Sequence, residues 1–458
     1  MIQKLDINNF FKKIKKIFKL SHEKKKLVFY SILSSGHLNV CSAVGTALLN
    51  KFADDVEVYF IAEKVWAEKL KKIDQRFKIG LIDLSSEEDR IIDVVKDTEK
   101  SLNLSHIDSI KFLFEKFFMS DVERLFETDK KSGEQIKKIK PDFILCDQIL
   151  QLPAMLEHNI PYGFIISTNI AGLKIDGFPY IGSDAGIDEK EKIRKFKEDF
   201  LCVETKLIKF LNDLFEKRNV KFNKNLPINL PRSDILSIYN YPKELDYFDD
   251  ELRKTYKLWQ IDSPIVPSRI PAPYQLSEEF VKLPGKIIYV SLGSLFSCFD
   301  SKIQKLLDTL AELPYKYIVS KGPNGDKIKF PNDRFIGENF VDQLAVLQVA
   351  DMMIAHGGNN TFTECFYFGV PAVILPVAAD QINNAKRIEE TGFGYQLSLM
   401  NYTQKDLKEK IEAVLNDESL KEKYKIISER IKKENKLDIV VSKLMDYMIN
   451  KSEEKLSF

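Results

Sequence analysis

DMMIAHGGNNTFTECFYFGVPAVILPVAADQ, residues 351–381, is the stretch that decides the fold. It opens with a short apolar run, 351–355, bounded by His356-Gly357-Gly358. A helical pattern over 361–368 stops at Gly369; a second apolar run, 372–375, ends at Pro376; a further helical pattern over 381–391 stops at Gly392. Glycine just past a helix end is the expected stop, because it takes the left-handed conformation without a Cβ penalty. Short apolar strands alternating with helices indicate a parallel sheet with crossover helices, hence an α/β fold.

Outward from this stretch, the same alternation continues upstream as a strand at 286–292 (KIIYVSL), a helix at 301–313, strands at 315–320 and 334–336, and a helix from Asp342. A separate alternating unit fills the first half. Its strand 27–33 (LVFYSIL) runs into Ser34-Ser35-Gly36-His37, with a helix at 39–52 and a strand at 56–62. Further strands at 141–146 (PDFILC), delivering Asp147, and at 160–167 complete it. Residues 85–140 read as helical and phenylalanine-rich, and 186–220 as a charged helical insertion. Pro264, Pro267, Pro271, Pro273 and Pro284 break regular structure and mark 259–285 as a linker. The expected division is a basic amphipathic extension at 1–26, a first domain at 27–258, the linker, a second domain at 286–440, and a C-terminal helix and tail at 441–458 that packs back on the first domain. His37, Asp147, Ser294 and His356 all fall at the carboxyl ends of strands, where open α/β sheets bind ligands.

The 458 residues suit two domains, and 44% hydrophobic with 30% charged residues is the composition of a soluble globular enzyme. With 69 basic against 68 acidic residues there is no global positive field, which argues against a nucleic-acid partner. The five cysteines form no CxxC, so neither a zinc knuckle nor a disulfide framework is indicated, and a cytoplasmic, reducing location is expected. No run is long and apolar enough to span a bilayer, and lysines interrupt every apolar run before Lys26, unlike a secretory signal. The first 26 residues carry nine lysines against Asp6 and Glu23, with Ile2, Leu5, Phe10, Phe11, Ile14, Ile17 and Phe18 roughly on one helical face. Two readings stand: peripheral contact of residues 1–20 with an anionic membrane, or a helix packing its phenylalanines on the body of the protein.

The turn at 356–361 joins a strand to a helix N-terminus through two glycines, Gly357 and Gly358, which let backbone N–H groups approach an anion such as a pyrophosphate. His356, Asn360 and Thr361 add side-chain donors, Glu364 lies one turn on where a carboxylate can accept two ribose hydroxyls, and Asp380-Gln381 can grip sugar hydroxyls. Each feature alone has an ordinary reading as a tight turn, a solvated helix residue or a helix cap. Together, in this order, they are distinctive.

Phe340-Val341-Asp342-Gln343, His356 through Glu364, Pro371, Pro376 and Asp380-Gln381 resemble the signature block of the UDP-glycosyltransferase family. Val290-Ser291-Leu292-Gly293-Ser294 and Gly36-His37-Leu38-Asn39 resemble further landmarks of its soluble members. The resemblance implies a GT-B fold, two Rossmann-like domains facing each other across a cleft, and a UDP-sugar donor as co-substrate. In the UDP site Phe340 would cover the uracil beside Val341, and Gln343 would contact the uridine. His356, Gly358, Asn360, Thr361 and Ser294 would hold the diphosphate and Glu364 the ribose. Asp380 and Gln381 would hold the sugar, with Thr168 beside it. Phe340 and Asn359 depart from the pattern, since plant members carry tryptophan at both places.

Inverting transfer needs a base for the acceptor hydroxyl, and an imidazole backed by a carboxylate supplies one near neutral pH. His37 and Asp147, at strand ends of one sheet, match the family's catalytic pair, although a Gly-His turn and a helix-capping aspartate are their ordinary readings. His22, His106 and His158 lack such neighbours. The acceptor, a small hydrophobic hydroxylated molecule, is expected in the first half, near the phenylalanines at 112–118 and the 172–186 loop. Glucose is the expected sugar, by resemblance alone, and no cofactor or metal is implied. The competing readings are a lipid- or cell-wall-type GT-B transferase at a membrane and a non-catalytic nucleotide-sugar binding protein. A dinucleotide-dependent oxidoreductase is disfavoured because no GxGxxG follows an early strand.

Overall fold

The computed structural model describes residues 23–83, 104–116, 122–221, 232–293 and 299–450. Residues 1–22, Ser294, Phe117 and Phe118, singled out in the sequence, lie outside the described residues.

The first half forms a seven-stranded sheet: β1 Lys25–Ser31, β2 Val56–Ala62, β3 Lys78–Leu81, β4 Phe143–Asp147, β5 Tyr162–Ile166, β6 Ser237–Asn240 and β7 Leu258–Ile261. Their order is β3-β2-β1-β4-β5-β6-β7, and every pairing is parallel. The second half forms a six-stranded parallel sheet: β8 Ile287–Ser291, β9 Lys316–Ser320, β10 Phe335–Glu338, β11 Met352–Ala355, β12 Ala372–Ile374 and β13 Gly394–Gln396. Its order is β10-β9-β8-β11-β12-β13. The order reverses between β1 and β4 and again between β8 and β11, the switch points where doubly wound sheets open a crevice. Strands such as β1 are continuous apolar runs because helices cover both faces of the sheet. Inside that layer Phe29 stacks on Phe60 at 4.7 Å between centroids.

Several expected boundaries move. β1 begins at Lys25, inside the stretch read as an extension, and β7 occupies the start of the 259–285 stretch read as linker, which also holds the helix Glu278–Lys282. Four residues are too few for a periodic signal, and the prolines begin only at Pro264, so composition shifts later than structure. The helix expected at 39–52 starts at Ser35, placing His37 in its first turn, and Asp380 opens the helix Asp380–Glu390 rather than sitting in a loop. The charged insertion is the helix Lys190–Arg218, whose Leu207, Phe210, Leu211 and Leu214 pack with Val28, Tyr30 and Ile144 of the first sheet.

The helix Lys436–Asn450 returns to the first sheet, burying Val441, Leu444 and Met448 with Leu38, Val44 and Leu48 of the helix Ser35–Phe52. Just before it, Arg430 of the second half binds Glu244 and Asp262 of the first, and Lys436 adds a second cation 3.3 Å from Asp262. Among the described residues no helix is long and apolar enough to cross a membrane.

Candidate active site

Ser31 of β1 is in register with Asp147 of β4, and β5 runs beside β4, so the chain leaves three neighbouring strands at one edge. His37 follows β1, Asp147 ends β4 and Ser167 follows β5. His37 Nδ1 lies 2.9 Å from Asp147 Oδ1; the imidazole side chain is 15% exposed and the carboxylate 4%, so the pair is open only on the histidine side. Ser167 Oγ lies 2.9 Å from His37 Nδ1 and 3.0 Å from Asp147 Oδ1. Burial disfavours the imidazolium, but the Asp147 charge, its hydrogen bond and the more distant Asp380 charge outweigh it, and the His37 pKa is raised. His158, by contrast, is tied to the Gly133 carbonyl at 2.9 Å, away from this edge.

Across the cleft, β11 ends at Ala355, His356 follows, and the backbone turns through Gly357, whose φ of +84° is left-handed, into the helix Asn359–Phe368. The His356 ring lies between Gly293 and Gly358: a Cβ at Gly293 would fall 2.6 Å from two ring atoms, and one at Gly358 would also strike the ring. These glycines therefore make room for an imidazole as well as for a close backbone approach. Burial pushes His356 down to about 4, with a hydrogen bond to the Ser291 backbone opposing, so the ring is neutral near pH 7. No side chain caps the helix Asn359–Phe368, which leaves its first-turn N–H groups for an anion.

Glu364 sits on the next turn. Gln343 donates to it at 2.5 Å and to Thr361 Oγ1 at 3.1 Å, joining the residues expected at the uridine, the diphosphate and the ribose in one network. Burial raises Glu364 to about 7 despite the Gln343 hydrogen bond. Phe340 is 62% exposed just after β10, an unburied ring, while Val341 packs on the hydrophobic core around the second sheet. Asp380, raised by burial to about 6, accepts from the Asn169 N–H at 3.2 Å. Gln381 has its carbonyl taken by the N–H groups of Val377 and Ala378, so only its amide nitrogen is left to meet a ligand. Ala379, which precedes Asp380, is held at φ +53°, a strained value for alanine. Thr168 Oγ1 makes only a long 3.5 Å contact with the Asn169 carbonyl. Phe112 is half-buried, on the helix His106–Phe114 that packs Ile110 against Phe200 and Val203.

Asparagines join the two sides, a feature the sequence reading missed. Asn359 Nδ2 donates to the Ser167 and Asn240 carbonyls at 3.1 and 3.0 Å. Asn360 Nδ2 reaches the Gly36 carbonyl at 2.6 Å, so the side chain expected on the diphosphate is directed at the first half here. Asn169 Nδ2 donates to Asn384 Oδ1 at 2.7 Å, and Asn383 binds the 180–183 turn. The available signal was two Asn-Asn doublets near the starts of two helices flanking the cleft. Among the described residues no cluster of three or more His, Cys, Asp or Glu side chains is placed to hold a metal ion.

Residues 268–441 match the family model described as "UDP-glucoronosyl and UDP-glucosyl transferase". The family likeness therefore rests on residues 268–441. It is 28% identical over 170 residues to the uncharacterized UDP-glucosyltransferase YdhE of Bacillus subtilis, covering 37% of this chain and 43% of that one. It is 32% identical over 165 residues to UDP-glucuronosyltransferase 1A6 of Oryctolagus cuniculus, covering 33% and 29%. The alignments thus span less than half of these curated relatives. Two solved structures resemble the whole fold. The glycosyltransferase of kitacinnamycin has a TM-score of 0.67 at 17% identity, covering 93% of this chain and all of that one. The glycosyltransferase VinC, in complex with DTDP, has a TM-score of 0.58 at 13% identity, covering 91% and 99%. The fold is GT-B, and the UDP-glycosyltransferase segment coincides with its second sheet.

Proposed function

We propose that the protein transfers glucose, with inversion, from UDP-glucose to a hydroxyl of a small lipophilic acceptor. One observation carries the reading. His37 presents Nδ1 to Asp147 at 2.9 Å, which leaves Nε2 as the basic atom on a ring facing a family-matched donor segment. In this mechanism Nε2 takes the acceptor's proton as its oxygen bonds to the anomeric carbon. The bond from that carbon to the diphosphate breaks, and UDP leaves with the electron pair. Asp147 stabilises the imidazolium that forms. The leaving diphosphate meets the N–H groups of the uncapped helix start and Thr361, beside the neutral His356. Ser294 completes the diphosphate set in this proposal, Phe340 stacks on uracil, Glu364 takes the ribose, and Asp380 with the Gln381 amide takes the sugar beside Thr168.

Glucose is favoured over glucuronate because a second carboxylate on the sugar would face that of Asp380. No metal is required in this scheme, and a cytoplasmic location accords with free thiols at Cys41, Cys146, Cys202 and Cys365. The test is UDP release from UDP-glucose and UDP-glucuronate across phenolic and aliphatic alcohols, with and without a chelator. Acceptor-dependent release that favours UDP-glucose and is lost in His37→Ala is the expected result. UDP binding without turnover on any acceptor would overturn it.

A further inference from the structure

Two of the cross-cleft bonds converge on the segment 167–169, and that segment also touches the base. Ser167 Oγ contacts both His37 Nδ1 and Asp147 Oδ1, while its carbonyl is held by Asn359, the first residue of the donor-side helix. Two residues on, the Asn169 N–H is held by Asp380, the first residue of the other donor-side helix.

The proton inventory restricts what this arrangement can be. A carboxylate only accepts, so the Nδ1–Asp147 bond requires the proton on Nδ1 and the lone pair on Nε2. Ser167 has one O–H, and where Oγ sits decides between two outcomes. Donated to Asp147, it leaves an Oγ lone pair to share the Nδ1 proton and reinforces the tautomer a base needs. Donated to Nδ1, it would demand the opposite tautomer, with Nε2 protonated and useless as a base. The backbone position of Ser167 therefore matters to the protonation of a ring on another strand. Asn359 is 4% exposed and donates its amide nitrogen to two first-half carbonyls, Ser167 and Asn240, which leaves it nothing to offer a donor through that nitrogen.

We propose that Asn359 and Ser167 form a positioning relay: Asn359 fixes the Ser167 backbone from the donor side, and Ser167 Oγ holds His37 in its base-competent tautomer. Neither touches the reacting atoms. The relay makes the base ready only when the donor-side helix is docked against the first half. It rests on the reading of His37 as the base.

The test uses the full chain with 15N-labelled histidine, the His37 signal being assigned by its loss in His37→Gln. Long-range 1H–15N spectra report the tautomer without any turnover. The wild type is expected to show a single form protonated on Nδ1. Ser167→Ala and Asn359→Ala should each mix tautomers and displace the acid limb of the kcat profile in the same direction. Each should lower kcat about tenfold, the scale of losing one outer-shell orienting partner, with UDP affinity changed less than about twofold. Ser167→Thr should restore the wild-type tautomer, and the double variant should lose no more than the worse single one, as members of one chain do. Asn359→Ser, which keeps one donor, stands in if Asn359→Ala does not fold. An unchanged tautomer in Asn359→Ala, losses that multiply in the double variant, or UDP affinity falling in step with kcat would each overturn the relay. A tautomer shift in a protein that transfers no sugar would instead overturn the transferase reading, leaving the coupling of Asn359 to the His37 tautomer but not its catalytic role.

Discussion

The two sides of the cleft share a strand order but are assembled from the chain in opposite ways. On the donor side, everything from the exposed Phe340 to Asp380 comes from one contiguous block that crosses a single switch point. On the base side, His37, Asp147 and Ser167 lie 110 and 130 residues apart along the chain, measured from the histidine, and meet only because β1, β4 and β5 are neighbours. A contiguous block constrains many successive residues at once. A site gathered by packing constrains about one residue per strand end and leaves the intervening chain free. The region matched to the family, 268–441, accordingly holds most of the donor side and none of the base side.

That contrast predicts a split between chemistry and binding. His37→Ala should lower kcat by about 10²–10⁴, the usual worth of a general base, while UDP affinity measured by calorimetry stays within about twofold. In the unaltered protein, kcat/KM should fall as pH drops through a value above the ordinary imidazole pKa, because the Asp147 charge raises that of His37 and only the neutral ring is a base. Equal loss of binding and turnover would erase the distinction between the two sides.

The donor side gives the converse. Glu364→Gln should weaken UDP binding by about 1.5–3 kcal/mol, the worth of hydrogen bonds to a charged acceptor. Because burial lifts Glu364 to about 7 and two ribose hydroxyls need the ionised form, UDP affinity should fall as pH drops below about 7. Binding at pH 6.5 should release protons, visible as a dependence of binding heat on buffer. A flat pH profile would remove the ribose from Glu364.

The halves can also be uncoupled away from the cleft. Arg430→Ala leaves Asp262, 3% exposed, with Lys436 as its remaining cation, and should lower stability to urea by about 3 kcal/mol, as breaking a buried ion pair does. Turnover at low urea should be retained.

The smallest expected effect sharpens the comparison. Asp129, buried under the first sheet, is also raised to about 7, by burial opposed by Arg218, and Tyr30 and the Ala154 N–H donate to it. A carboxyl raised above its unfolded value contributes stability that is complete below about pH 4 and is lost as pH rises through about 7. Asp129→Asn should flatten that part of the urea-midpoint profile while leaving UDP binding unchanged. Two carboxyls with similar titrations would then report to different observables, Glu364 to the ligand and Asp129 to the fold.

The α/β class and the two alternating units were legible because buried parallel strands are continuous apolar runs and the helices between them are closed by glycine, as at Gly369. β6 and β7 escaped because four-residue strands carry no period, and polar Asn240 and Gln260 interrupt them. His37 and Asp147 were legible only through resemblance, since a strand-end histidine is an unremarkable turn until its partner is known. Ser167, Asn169, Asn383 and Asn384 were not singled out, and Asn359 and Asn360 were not read as contacts between the halves. Their roles depend on which carbonyl the folded chain brings within 3 Å, and nothing in their local sequence encodes that.

The asparagine seam makes the halves of this chain matched parts. A donor half taken from a relative with another residue at position 359 would leave the Ser167 and Asn240 carbonyls buried without that donor, at about 1–3 kcal/mol for each left unsatisfied. Recombining halves to pair a new acceptor with a new donor therefore meets a compatibility check built into the joint, and a chimera must transplant both edges of the seam together.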